Sequence, residues 1–118
     1  MTLARGQVVL VDFPFSGGGR SKLRPALVVQ NDRDNARLSN TIVAMISSRV
    51  ERAPYEPTQV LVEQRSHGKQ SGLRVDSVVN CVNLFTLEQS KVLRVLGTFP
   101  PSLTAQVDAA LKAVFGLA

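Results

Sequence analysis

Between its first valine-rich run and the double proline at positions 100 and 101, this chain leaves no room for a crossover helix. Parallel neighbouring strands need a connection of a dozen or more residues, usually helical. Here "QVVLVDF" (7 to 13), "PALVVQN" (25 to 31), "TIVAMISS" (41 to 48), "QVLVE" (59 to 63), "DSVVNCVNLF" (76 to 85) and "VLRVLGTF" (92 to 99) read as strands in close succession. Their connections are polar. "PFSGGGRSKLR" is expected to be mobile because of its three glycines, "NDRDNARLSN" to be a turn holding one helical turn, and "RVERAPYEPT" a loop. "QRSHGKQSGLR" (64 to 74) reads as a second flexible loop. After the double proline the period changes: Leu103, Val107, Leu111 and Val114 or Phe115 recur at helical spacing, with Ser102 as a cap and Gly116 as a stop. Six short strands and one terminal helix predict a mainly β chain with a C-terminal helix, a single domain over residues 1 to 118 whose strongly curved sheet the helix closes.

A chain of this length can bury one modest core without covalent staples. Cys81 is the only cysteine, which excludes an intrachain disulfide; its place in "SVVNCVNL" makes it a core filler. No run approaches the roughly 20 apolar residues of a membrane span, and the N-terminus lacks the pattern of a signal peptide, so a cytoplasmic location with no membrane partner is expected. The net charge is +5, and it is localised. Residues 1 to 19 and 75 to 118 each balance to zero, whereas residues 20 to 74 hold ten Lys/Arg against five Asp/Glu. A localised excess of this kind suits a polyanion, although a solvated basic face has the same composition.

His67 is the only histidine, so a zinc site of the usual His/Cys kind cannot be assembled. Asp32 and Asp34 sit in a polar turn where carboxylates cap backbone groups. Neither a metal nor a cofactor is expected. The glycine tract lacks the lysine–serine or lysine–threonine ending of a phosphate loop, and no nucleophile elbow is present for a serine hydrolase. What remains is arginine, serine and one histidine in a basic chain. RNA carries its own nucleophile, the 2'-OH, next to each phosphate. Cleaving it requires alignment, stabilisation of phosphoryl charge and movement of protons. Arg24, ahead of the second strand, can offer two parallel N–H donors to a phosphate, or pair with a carboxylate at the rim. Ser47 and Ser48 can bond a phosphate oxygen or cap the loop that follows. His67 can transfer protons near neutrality or be a bystander.

"GQVVLVDFPF", "KLRPALVVQND", "TIVAMISS" and "GLRVDSVVNCVNLFTL", in this order, resemble the MazF/PemK-type toxins of bacterial toxin–antitoxin pairs over nearly the whole chain. That resemblance implies a small SH3-like barrel of the MazF/PemK toxin kind, assembled as a homodimer. It implies an endoribonuclease that cuts single-stranded RNA without a metal at short sequence-defined sites, leaving 2',3'-cyclic phosphate and 5'-hydroxyl ends. A cognate antitoxin with an acidic tail would block it. The family's catalytic arginine before "P-x-L-V" falls on Arg24. Its catalytic threonine, at the end of the third strand, is matched by Ser47, with Ser48 able to share the role. Arg20, Lys22, Ser48, Arg49 and Tyr55 are candidates for RNA binding, Tyr55 as a stacking platform or packed on its prolines. Gln64, His67 and Lys69 are candidates for base selection. Two rival readings keep the fold and change the function: a catalytically silent module that binds nucleic acid or protein, and a topoisomerase-directed toxin.

Overall fold

The computed structural model describes residues 2–14 and 21–117. Arg20 and the triple glycine lie outside the described residues. Six strands form one sheet: β1 (Gln7–Pro14), β2 (Ser21–Val28), β3 (Asn40–Ser47), β4 (Gln59–Val62), β5 (Ser77–Glu88) and β6 (Val92–Thr98). Among the described residues three α-helices accompany them: α1 (Asp32–Arg37), α2 (Gln64–Ser71) and α3 (Pro101–Phe115). Every strand pairing is antiparallel, as connections too short for crossovers require.

The strand order is β4-β5-β3-β2-β1-β6. The expected barrel is therefore corrected: β4 and β6 are the two edges of an open sheet, and closure would require them to pair with each other. The physical reason lies in α2, which packs against both edges and stands between them. Its approach to β6 is backbone on backbone. A methyl group at Gly97 would lie 2.6 Å from the Ser71 carbonyl oxygen and overlap that of Gln70, and one at Gly72 would lie 2.7 Å from the Leu96 carbonyl carbon. Helical cover protects a sheet edge without closing the sheet.

Side-chain alternation along the strands produces two cores. On one side Val8, Leu27, Ala44, Ile46 and Val79 meet Leu103, Val107 and Ala110 of α3, and Cys81 fills the same layer as expected. On the other, Val9, Val11, Ala26, Val28 and Val43 pack with Leu3 and Val92. The apolar stripe of α3 ends at Val114, leaving Phe115 60% exposed. The helix begins at Pro101, with Pro100 rather than Ser102 at the cap position, because proline already holds the φ of a first helical turn and has no N–H to satisfy. Gly116 ends it in the left-handed conformation, φ 67°. Arg5 anchors α3 to the sheet: its Nε donates to the Val29 carbonyl at 2.9 Å and its other guanidinium nitrogen to Asp108 at 2.7 Å, while the Asp32 carboxylate accepts the Arg5 backbone N–H.

The segment expected as a second flexible loop is α2. It has no apolar stripe to read, and Gly68 within it argues against a helix. Its N-terminus is completed from a distance, by the Asp76 carboxylate accepting the Gln64 backbone N–H at 2.8 Å. Gly72, at φ 77°, stops it. The second strand also begins earlier than its apolar run: β2 starts at Ser21, so Arg24 lies inside a strand instead of ahead of one.

Candidate functional site

The β1–β2 register pairs Val11 with Arg24 and Leu10 with Pro25. On the other side of β2, the rungs Ala26↔Met45, Leu27↔Ala44 and Val28↔Val43 tie it to β3. Proline has no N–H to contribute to a ladder, and the β2–β3 ladder stops one residue short of Pro25. Continuing its register two residues further puts Arg24 across from Ser47, the last residue of β3. Adjacent strands lie about 4.8 Å apart, so a guanidinium and a hydroxyl from these positions can address one small group between them.

Around this row opens a cleft of about 800 Å³. Among the described residues, five cationic ones line it, Lys22, Arg24, Arg49, Arg74 and Arg94, and no acidic one does. The Arg5–Asp108 and Arg37–Asp34 ion pairs lie away from this lining, and Arg24 has an interaction partner of its own. Arg24 is half-buried, whereas Lys22, Arg49, Arg74 and Arg94 are exposed. Ser47, Ser48 and Ser77 bring hydroxyls to the wall. Leu23 and Val75, each more than half exposed, give it apolar surface between the charges.

Ser47 is half-buried, and its Oγ accepts the Arg49 backbone N–H at 3.3 Å. Loop capping and a role in the cleft are therefore compatible, since accepting that bond uses a lone pair and leaves the hydroxyl proton for another acceptor. Strand β3 fixes its backbone, while the bond to Arg49 orients the side chain.

The cleft brings together Arg24, Ser47, Ser48, Lys22 and Arg49 of the residues singled out in the sequence. Tyr55, at the end of a short 3₁₀ turn (Ala53–Tyr55), is 83% exposed and is not part of the lining. Gln64, His67 and Lys69 lie on α2 and are likewise outside it, with His67 half-buried. Arg20 lies outside the described residues. Two lining arginines were not singled out. Arg74 follows the αL stop of α2, and Arg94 comes from β6, in a stretch whose charges cancel along the sequence. A signal for Arg74 existed, as the last basic residue of the charge-rich segment. Arg94 had none, because its place depends on strand pairing. Among the described residues no three His, Cys, Asp or Glu side chains gather as a metal site would need, and no helix is long and apolar enough to cross a membrane.

Known proteins resemble this chain in sequence and in fold. A profile describing the PemK-like, MazF-like toxin of type II toxin–antitoxin systems matches residues 4–115. Endoribonuclease MazF6 of Mycobacterium tuberculosis is 34% identical over 119 residues, covering 99% of this chain and 100% of that protein. Endoribonuclease MazF2 of Mycobacterium bovis matches to the same extent, at 34% over 119 residues. Among solved structures, an endoribonuclease in complex with its cognate antitoxin from a mycobacterial species superposes with a TM-score of 0.77 at 23% identity, covering 98% of this chain and 97% of that one. A MazE–MazF structure from Deinococcus radiodurans does so with a TM-score of 0.74 at 22% identity over 100% of both chains. The two structural likenesses speak for the fold, and the profile and the curated relatives speak for descent: the chain belongs to the PemK-like, MazF-like toxins of type II toxin–antitoxin systems.

Proposed function

We propose that the chain is a sequence-specific endoribonuclease, an mRNA interferase, that cleaves single-stranded RNA in the cleft around Arg24 and Ser47. The observation that carries this reading is the lining itself, in which the described residues include five cations and no carboxylate, around Arg24 and Ser47, which the continued β2–β3 register puts across from each other. A phosphodiester with an adjacent 2'-OH is the substrate class that this set fits. The 2'-oxygen attacks phosphorus, the bond from phosphorus to O5' breaks, the 2'-OH proton leaves and O5' gains a proton. The products are a 2',3'-cyclic phosphate and a 5'-hydroxyl. Arg24 donates to the non-bridging oxygens as charge grows on them. An arginine side chain offers N–H donors and no acceptor, which makes it a stabiliser of charge before anything else. Ser47 donates its free proton to a phosphoryl oxygen or holds the 2'-OH in line. The lining offers no carboxylate, imidazole or thiol to hold a metal, and the reaction is metal-independent in this reading.

Lys22, Ser48 and Arg49 hold phosphates that flank the cut. The protein works as a homodimer in the cytoplasm, and a cognate antitoxin with acidic side chains competes for the same cations. Support for the activity comes from the endoribonuclease relatives, and for the partner from neighbours solved with an antitoxin or with MazE. The test is single-stranded RNA of varied sequence with purified protein and excess chelator, followed by chemical analysis of the new ends. Cyclic-phosphate ends that vanish with Arg24→Ala, and with RNA carrying 2'-O-methyl groups, are the expected result. A folded parent that binds RNA and never cuts it would refute the enzyme and leave the silent binding module.

A further inference from the structure

The β1–β6 ladder is irregular where it meets the cleft. Val11 pairs with Val92, but Leu10 pairs with Arg94, so Leu93 is an extra residue on β6, and a second shift between Val8 and Val9 makes Leu96 extra as well. Counted from the Val11–Val92 pair, a regular ladder would set Arg94 against Val9, and counted from the Val8–Gly97 pair, against Val11; both valines are buried in the second core. A one-residue slip exchanges the two sides of a strand, and a bulge is the local device that re-aims a side chain. Here it lifts an arginine out of the row of a core valine and sets it in the row of Leu10 and Pro25, immediately beside the row of Val11 and Arg24. Arg94 is exposed there and lines the cleft. Two inter-strand spacings, about 10 Å, separate its backbone from β2. Side chains in neighbouring rows leave the sheet on alternate sides. Arg94 thus reaches the cleft from a different direction than Arg24.

We propose that Arg94 is an RNA-positioning residue, holding a phosphate other than the one that is cut, and that the two irregularities of β6, at Leu93 and Leu96, present it. The inference rests on the endoribonuclease reading above and assigns β6 a part in it. An anchor for a distant phosphate contributes to RNA affinity and to its salt dependence; it leaves turnover at saturation alone.

The test compares the parent with Arg94→Ala and Arg94→Gln, with Arg33→Ala on the exposed face of α1 as the control for general loss of charge. Affinity for a fully 2'-O-methylated single-stranded RNA pool of randomised sequence is measured from low to moderate salt, and saturating kcat on the matching unmodified pool. For both Arg94 variants, affinity should fall about three- to tenfold, and the slope of log K against log salt should flatten by about 0.7, the value for one phosphate contact on a single strand. Their kcat should match the parent's, and Arg33→Ala should match it in every respect. Arg94 variants with unchanged affinity and slope would overturn the proposal, and so would a loss of kcat like that of Arg24→Ala, which would place Arg94 on the scissile phosphate. A parent that neither binds nor cuts RNA would refute the enzyme reading along with it. A parent that does both beside indistinguishable Arg94 variants would refute this inference alone.

Discussion

Three glycines allow backbone strain and steric overlap to be measured separately in one molecule. Gly116 ends α3 at φ 67° with nothing within 4 Å of a built Cβ, so Gly116→Ala meets conformational strain alone. Gly97 lies in β6 without a positive φ, and a methyl there runs into the Gln70 and Ser71 backbone, so Gly97→Ala meets overlap alone. Gly72 has both, with φ 77° and the Leu96 backbone against its Cβ position. An L-residue in the left-handed region costs about 1–2 kcal/mol, and overpacking costs about 1–3 kcal/mol. Gly72→Ala should therefore cost about 2–5 kcal/mol, close to the sum of the other two. Urea unfolding followed by circular dichroism measures this directly. At a slope of about 2 kcal/mol/M, Gly72→Ala moves the midpoint by about 1–2.5 M. Since Gly72 and Leu73 also line the cleft, RNA affinity should fall with it. A Gly72→Ala protein no less stable than Gly116→Ala would show that α2 does not sit on β6 as described, and the account of why the sheet stays open would fall.

Arg24→Lys keeps the charge and loses the paired donors; single-turnover cleavage should slow about 100-fold or more, and a rate within threefold of the parent would remove Arg24 from the reaction. Ser47→Thr should retain most of the activity and Ser47→Ala should lose about 100-fold, measured on the same RNA; equal activities would leave Ser47 as a loop cap only. Burial pushes the Cys81 thiol up from 9.0 to about 11. Unfolded protein therefore releases this proton at lower pH than folded protein does, and stability should decline by about 1.4 kcal/mol per pH unit between about pH 9 and 11. Comparing the parent with Cys81→Ala in urea titrations over that range isolates the contribution, and parallel curves would refute it.

The strands were legible because valine-rich runs of the right length leave few alternatives, and α3 because its stripe repeats. The positions of Arg24 and Ser47 in the cleft lining follow from a related feature: each sits at a fixed offset from a strong apolar run, just past the last rung of two neighbouring paired strands. α2 was not, since a short polar helix without a stripe owes its existence to Asp76 at one end and to the β6 backbone along its side. Openness of the sheet was illegible on the same grounds. Arg94 shows the limit most clearly, because the irregular pairing on either side of it decides whether it joins a core row or a cleft, and no local pattern in "VLRVLG" encodes that choice.

The carboxylate of Asp76 has a consequence for the order in which the molecule is built. An eight-residue helix is unstable in isolation, so α2 forms only once Asp76 and the β6 backbone have arrived. The Gly72–Val75 wall of the cleft is assembled with it. β2 and β3, with Arg24 and Ser47, are complete much earlier in synthesis. A growing chain thus holds Arg24 and Ser47 for some time without this wall of their cleft. In the proposed function, a chain that lacks this wall has no complete cleft to hold RNA.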